Sequence, residues 1–206
     1  HLLHPRKYHE SLLVFEQLRK TYKLNSRFLA YMGVCYYKEQ KYEDAAKILD
    51  KVIPDLEPFP PHERAVYYFS NAESHFLLGL ENEERRGIKA TGKNKEIETA
   101  AQYYEKTIPV CFSKEKGDVY YRLGFCHLLN VETELAMDYF SKAKSWYDKY
   151  GSMDAQTSFR KNQTENMLHS LLVAHRASRM DEGNEETWEN KNENADKKSD
   201  NVEQKQ

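Results

Sequence analysis

Apolar side chains recur along this chain at steps of three and four residues. With 3.6 residues per turn, this spacing collects them on one side of an α-helix and leaves the other side polar. The pattern is interrupted by helix breakers, first by four prolines between positions 54 and 61 and later by Pro109 and Gly117. The sequence therefore predicts an all-α fold made of successive amphipathic helices.

The helical pattern is repeated within the chain. When the sequence is laid against itself, Gly33 falls on Gly124, and the alanines Ala45 and Ala136 follow at the same distance in both copies. A third copy is centred on Ala72, with extra residues between its two halves. The matching positions of the two clearest copies are Leu29, Met32, Gly33, Tyr36, Tyr42, Ala45 and Leu49 with Tyr120, Leu123, Gly124, His127, Thr133, Ala136 and Phe140.

Small residues occupy matching places in the two predicted helices of each copy. The distance between packed helices depends on the side chains at the crossing, so small residues on both sides allow a close approach. We therefore expect each copy to fold as an antiparallel helical hairpin. The expected facing pairs are Gly33 with Ala45, Ala72 with Ala100, and Gly124 with Ala136.

These positions resemble the tetratricopeptide repeat, a 34-residue pattern of the form W-x2-L-G-x2-Y followed by A-x3-F. The resemblance covers roughly residues 6–146. It implies a solenoid of antiparallel helical hairpins that acts as a protein-binding adaptor, as part of a larger assembly. The matching residues are Leu29-x2-Met32-Gly33-x2-Tyr36 with Ala45-x3-Leu49, Tyr68-x2-Asn71-Ala72-x2-His75 with Ala100-x3-Tyr104, and Tyr120-x2-Leu123-Gly124-x2-His127 with Ala136-x3-Phe140.

The repeat also divides the chain into segments. Ser11 and Phe15 match Ala45 and Leu49, so the chain opens with the second half of a truncated repeat. The middle repeat has a charged insertion between its helices, which we expect to be an exposed loop or a helix extension. The predicted segments are the half repeat 1–25, the repeats 26–58, 59–113 (with the insertion 80–98) and 114–150, a capping helix 151–180, and a tail 181–206.

The last two segments differ in composition. Residues 154–177 carry Phe159, Leu168 and Leu172 on one side, which suits a helix that caps the end of a solenoid. From Asp181 onward, nine acidic residues accompany only three apolar ones. Such a stretch cannot bury enough apolar surface to fold alone, so it predicts a solvated acidic tail.

Charge and cysteine usage narrow the class of protein. Thirty-one basic and 33 acidic residues give a net charge of −2, so the whole chain has no field that would recruit nucleic acid or a membrane surface. Three cysteines without a Cys-x-x-Cys pair favour a reducing compartment, and no apolar run approaches the length of a membrane span. We expect a cytoplasmic or nuclear protein without a membrane partner, and the oligomeric state stays open.

Candidate chemistry is sparse, and we expect no enzyme activity, catalytic residue, metal site or cofactor. The stretch from Gly87 to Asn94 approaches a phosphate-binding loop, but Asn94 stands where a hydroxyl is needed and no strand precedes it. His75 and His127 take the place of the inner tyrosine of the repeat, and half-buried, hydrogen-bonded side chains are expected there rather than metal ligands.

The first helices of the predicted hairpins leave an apolar and aromatic face free. Aromatic anchors with few charges are typical of grooves that bind a helical or extended peptide. Arg122 stands where a carboxylate-clamp arginine of some tetratricopeptide proteins would lie, but the other clamp positions do not match, so binding of a chaperone tail is disfavoured. The predicted partner-binding groove contains Arg27, Tyr37, Lys38, Phe69, Glu73, Phe76, Tyr121, Arg122 and Phe125.

Three alternatives stay open. The capping helix could fill the groove from within the chain. A helical-repeat subunit could instead contact RNA or DNA through the basic residues of the insertion, although acidic residues interrupt them. A peptide-sensing regulatory domain of similar build is the third. The basic residues of the second alternative are Arg85, Arg86, Lys89, Lys93 and Lys95.

Overall fold

The computed structural model describes residues 5–86, 93–151 and 154–203, and regular structure within these ranges is helical throughout. The predicted all-α fold class is thus confirmed. Two short 3₁₀ segments, Ile53–Leu56 and Ser113–Glu115, lie between helices. The α-helices are α1 (Pro5–Thr21), α2 (Ser26–Lys38), α3 (Tyr42–Val52), α4 (Pro61–Arg86), α5 (Lys95–Thr107), α6 (Lys116–Leu129), α7 (Thr133–Tyr150) and α8 (Ala155–Glu203).

Helices that follow each other in the chain pack against each other from α1 to α7, and α2 also packs on α4. The predicted helix pairs are present as α2 with α3, α4 with α5, and α6 with α7. The turns of the first and third pairs have the same backbone form, because Gln40 and Val131 both adopt φ of 60°. The two turns also share a backbone hydrogen bond. The amide of Lys41 donates to the carbonyl of Tyr36, and the amide of Glu132 donates to the equivalent carbonyl of His127. Two copies of the sequence repeat therefore share the same turn backbone between their helices.

Three clusters of buried apolar side chains lie along the row of described helices, and α7 adds further buried residues such as Phe140. The first joins α1, α2 and α3 around Leu12 and Met32. The second joins α2, α3 and α4 around Leu49 and Leu56. The third joins α4, α5 and α6 around Tyr104, which is fully buried. Each cluster buries the apolar side of its helices, as their periodicity predicts.

The helix crossings differ in one respect from the expected facing pairs. A β-carbon added to Gly33 would lie 2.6 Å from Cγ of Leu49, and one added to Gly124 would lie 2.6 Å from the ring of Phe140. The side chain nearest each of these glycines is thus the large residue one turn after Ala45 or Ala136. The alanines are fully buried, yet the glycines accommodate a leucine and a phenylalanine.

Helices extend into the charged insertion from both sides. Helix α4 continues to Arg86, and α5 begins at Lys95 with a fully buried Ile97. Between them, residues 87–92, including Lys89, lie outside the described part of the chain. The stretch from Gly87 to Asn94, which approaches a phosphate-binding loop in sequence, is therefore not tested. Lys93 forms an ion pair with Glu132 at 3.5 Å.

Asn94 explains why α5 starts where it does. Its side-chain oxygen accepts hydrogen bonds from the amides of Glu96 and Ile97, which are otherwise unpaired in the first turn of the helix. Its amide group donates to the carbonyl of Gly79 and to Glu83, both on α4. Asn94 is buried, and it ties the start of α5 to α4.

Helix α8 spans 49 residues, and its backbone passes through the expected boundary at residue 181 without a break. The backbone therefore shows no change of structure at the boundary where the sequence predicts a solvated tail. An α-helix satisfies its hydrogen bonds locally, and this stretch has one glycine and no proline to interrupt it. Met180 and the three residues after it are exposed.

The chain divides into two compact units, residues 1–165 and 166–206. The first unit contains α1 to α7 and the beginning of α8; the second contains the rest of α8. Among the described residues, no helix combines the length and the apolar character that crossing a membrane requires.

Candidate functional site

A pocket of about 400 Å³ lies on the first helices of the hairpins. Its size falls in the range of about 300–1,000 Å³ that ligand pockets occupy. Helices α2, α4 and α6 all contribute, together with the connection that leads into α6. The lining residues are Val34, Tyr37 and Lys38 on α2, His62, Ala65, Val66, Phe69 and Ser70 on α4, Cys111, Phe112 and Glu115 before α6, Asp118 and Val119 on α6, and Tyr8 and Thr107.

The apolar lining is held in place by ring contacts. Phe69 packs edge-on against the buried Tyr104, with ring centroids 5.9 Å apart. His62 stacks on Phe112 at 3.6 Å, and Nδ1 of His62 lies 3.1 Å from the carbonyl oxygen of Val110. The pocket therefore has an apolar floor and one flat aromatic wall, fixed before any ligand arrives.

Three charged side chains line the pocket, and they differ in how they are paired. The ammonium of Lys38 lies over the rings of Tyr37 and Tyr8, at 5.4 and 6.0 Å. Glu115 accepts a hydrogen bond from the amide of Phe112 at 3.0 Å. Neither Lys38 nor Glu115 forms an ion pair within the described ranges.

Asp118, the third charged side chain, is satisfied from within the protein. Arg160 of α8 forms an ion pair with it at 2.7 Å, and the hydroxyl of Tyr147 donates to it at 2.7 Å. The same turns of α8 contact α6 again where the hydroxyl of Tyr121 donates to Gln163. Up to Glu165, α8 thus contacts α6 through polar side chains. Phe159, expected on the apolar side of this helix, is 64% exposed.

Beside the pocket, Glu73 and Arg122 form a half-enclosed ion pair between α4 and α6. Nε and Nη2 of Arg122 donate to the two carboxylate oxygens of Glu73, at 2.8 and 3.3 Å. The hydroxyl of Tyr104 also donates to Glu73, and the guanidinium lies 4.6 Å from the ring centre of Phe76. Burial lowers the pKa of Arg122, but the charge and hydrogen bond of Glu73 together with Tyr104 and Tyr121 outweigh burial, and the net pKa is raised. Arg122 is occupied internally and offers no free cation to a ligand.

The structure separates the predicted groove residues into three groups. Tyr37, Lys38 and Phe69 line the pocket. Arg27 lies elsewhere, paired with Glu63 at 2.8 Å and stacked over Phe59. The remaining five are interior: Glu73, Phe76 and Tyr121 are buried, and Arg122 and Phe125 are partly buried between α4, α6 and α7.

Sequence reasoning missed the residues before α6, namely Cys111, Phe112 and Glu115, and His62 at the start of α4. No periodic signal marks them, because they belong to connections and first turns rather than to repeat positions. They reach the pocket only through the way α5 and α6 pack.

A second polar cluster surrounds His75, one of the two histidines at repeat positions, and joins α3, α4 and α5. In the second hairpin, Nδ1 of His75 lies 2.6 Å from Glu96 and Nε2 lies 2.9 Å from Asp50. Burial lowers the pKa of His75, but the hydrogen bonds to Asp50 and Glu96 outweigh burial, and the net pKa is raised. Tyr103 stacks on the ring at 5.9 Å, and Asn71 donates to Asp50 at 2.8 Å.

The third hairpin repeats this arrangement at equivalent positions. His127 stacks on Tyr139 at 5.1 Å, and its Nδ1 lies 3.3 Å from Glu132. His75 with Tyr103 and Glu96 is therefore matched, position for position, by His127 with Tyr139 and Glu132. Both histidines pack inside their hairpins, as their repeat positions predicted.

The described residues contain no group of histidine, cysteine and acidic side chains that could hold a metal ion. All three cysteines are free and buried. Burial raises the pKa of the Cys35 thiol to about 11, and it also raises the pKa of Cys111 and Cys126. These thiols stay protonated at neutral pH, and a protonated thiol is a poor nucleophile.

No family model matches the sequence, no curated protein matches it, and no solved structure matches the fold.

Proposed function

We propose that this chain is a tetratricopeptide-like module of helical hairpins that binds a segment of a partner protein in the pocket between α2, α4 and α6. Its work is that of a non-enzymatic adaptor within a larger assembly, in the cytoplasm or the nucleus. The observation that carries the proposal is the pocket itself, with Val66 and Phe69 on its floor.

Repetition at the level of contacts supports the hairpin class. The turns at Gln40 and Val131 share one backbone form, and the two histidine–tyrosine stacks occupy equivalent positions. Stacked repeats of this kind present a continuous inner surface, and binding sites of solenoids lie on such surfaces. The inner helices are the ones that line the pocket.

The character of the pocket supports a peptide rather than a substrate. Val66 is 51% exposed although it is apolar, and Phe69 is partly exposed beside it. Contacts that bury such side chains in an interface typically supply most of its affinity, about 2 kcal/mol or more for an anchor residue. The polar side chains around them, such as His62 and Glu115, form hydrogen bonds within the protein. The thiol of Cys111 is protonated, so it offers no nucleophile for a reaction.

The test uses one exposed apolar residue inside the pocket and a matched one outside it. Val66→Glu places a charge on the pocket floor, whereas Leu135→Glu places the same charge on α7, where Leu135 is 46% exposed. Exposed substitutions of this kind typically change stability by less than about 0.5 kcal/mol, so both variants should fold. Proteins captured by the wild type are identified by mass spectrometry, re-expressed, and measured for direct binding.

We expect Val66→Glu to weaken direct binding of the partner more than tenfold, and Leu135→Glu to leave it within twofold. Circular dichroism of both variants checks that they keep their helicity. Equal binding by the wild type and Val66→Glu would show that the pocket is not the site. Loss caused by charge reversal of Arg85 and Arg86 instead would move the site to the charged insertion and to the nucleic-acid alternative.

A further inference from the structure

We infer that the pocket selects a peptide segment in which one apolar side chain is flanked by an acidic residue toward Lys38 and a basic residue toward Glu115. This inference rests on the proposed function and adds the chemistry of the partner to it. It follows from how the charges that line the pocket are paired.

Lys38 is the unpaired cation of the pocket. It is exposed at the last turn of α2, its ammonium lies over the faces of Tyr37 and Tyr8, and it forms no ion pair with another described residue. Rings hold a cation in position without neutralising its charge. A carboxylate on the ligand can therefore pair with Lys38 without displacing any internal partner.

Glu115 is the corresponding unpaired anion. Its carboxylate accepts the amide of Phe112, which fixes the side chain where the 3₁₀ segment begins. A carboxylate has lone pairs left after one hydrogen bond. A lysine or arginine on the ligand can therefore pair with Glu115 while the contact to Phe112 stays intact.

Asp118, the third charged residue of the lining, and the neighbouring Arg122 are already paired within the protein. Asp118 is paired with Arg160 at 2.7 Å, and Arg122 is paired with Glu73 at 2.8 Å. A purely anionic ligand would find only Lys38 and would meet the negative charge of Glu115. Like charges in one interface act against the wrong partner, so a mixed-charge segment is favoured.

The two charges also define the direction of the bound segment. Lys38 ends α2, whereas Glu115 precedes α6, and the apolar floor of Val66 and Phe69 belongs to α4. An apolar anchor on that floor leaves its two neighbours to meet opposite charges. The reversed order would bring like charges together at both positions.

The experiment selects random peptides displayed on phage against five forms of the full chain. These are the wild type, Lys38→Glu, Glu115→Gln and Val66→Glu, with Lys47→Glu as the control for a charge reversal on an exposed lysine outside the pocket. Glu115→Gln removes the charge but keeps an oxygen that can accept the amide of Phe112. The selected wild-type peptide and its charge-reversed versions are then synthesised, and their affinities are measured by fluorescence anisotropy.

We expect the wild type and Lys47→Glu to enrich one apolar residue with an acidic residue on one side and a basic residue on the other. Lys38→Glu should replace the acidic preference by a basic one, and Glu115→Gln should lose the basic preference. A single exposed charge pair should change affinity by about two- to fivefold. Reversal of the peptide's acidic residue should be rescued by Lys38→Glu.

Other outcomes overturn the inference, and they distinguish it from the proposed function. Apolar peptides without a charge pattern, lost in Val66→Glu, would refute the charge selection but retain a peptide-binding pocket. No enrichment above the Val66→Glu background would refute both. A dimer in sedimentation velocity that Val66→Glu dissociates would show that a second copy of this chain fills the pocket, which also refutes the inference.

Discussion

Replacing Gly124 by alanine tests the crossing of α6 and α7 most directly. The added β-carbon would lie 2.6 Å from two ring carbons of Phe140 and 2.9 Å from a third. Carbon atoms in van der Waals contact lie about 3.5–4.0 Å apart, so the ring must move by about 1 Å. Phe140 is fully buried and contacts the ring of Phe125 at 5.1 Å, so it has little room to do so.

Two opposing effects set the size of the change. Overpacking a well-packed core typically costs about 1–3 kcal/mol. Alanine in place of glycine within a helix returns about 0.5–1 kcal/mol. We therefore expect Gly124→Ala to lower the free energy of unfolding by about 1–2 kcal/mol. For a chain of this size, that corresponds to a fall of about 2–8 °C in Tm.

Urea denaturation followed by circular dichroism measures this change, with two controls. Gly183→Ala adds a β-carbon that meets nothing within 4 Å, so it should not destabilise the chain. Lys93→Ala removes an exposed ion pair with Glu132, which is worth at most about 1 kcal/mol.

A double mutant identifies Phe140 as the cause. Phe140→Leu should cost less in the Gly124→Ala background than in the wild type, because the smaller side chain makes room for the new methyl group, and the coupling should be about 0.5–3 kcal/mol. An equal cost in both backgrounds, or an unchanged Tm in Gly124→Ala, would refute the crossing described above.

Three further predictions concern the polar network, the turns and the ion pair. Because the pKa of His75 is raised above its ordinary 6.5, its charge stabilises the fold fully below about pH 6.5, and this gain is lost as pH rises through the folded pKa. The stability difference between the wild type and His75→Gln should therefore shrink with rising pH in urea titrations, and a constant difference would contradict it. Val131→Gly should raise Tm, since a β-branched residue at φ of 60° is strained by about 1–2 kcal/mol; no rise would show that the turn carries no strain. Glu73→Ala leaves Arg122 partly buried without its anion and should cost about 3–5 kcal/mol, measured by denaturation, with a cost below 1 kcal/mol counting against the pair.

The parts of the fold that the sequence predicted are those set by local spacing. The helices, their pairing and the inner positions of His75 and His127 follow from the period of the apolar residues. The residue over each glycine does not, because a shift of one turn, from Ala136 to Phe140, depends on how the two helices cross. The same holds for Phe76, whose burial depends on Tyr104 of another helix.

The site was predictable only in part for the same reason. Tyr37, Lys38 and Phe69 lie on the first helices of the hairpins, on the face that the repeat pattern leaves free, and they line the pocket. Glu115 and His62 lie outside the repeat pattern and reach the pocket through tertiary packing. Composition also hid Ile97, an apolar residue inside a charged stretch, and it gave no sign that the backbone beyond Asp181 continues as a helix.

The division of the core into three clusters has a consequence for how amide hydrogens exchange with solvent. Helices α2, α3 and α4 each belong to two clusters, whereas α1 belongs to one. In a row of units joined only to their neighbours, an end can open while the middle stays closed. Protection against exchange should therefore rise from α1 toward α4, so that the pocket floor on α4 lies in the slowest-exchanging part of the chain and keeps its shape while the end of the row opens and closes.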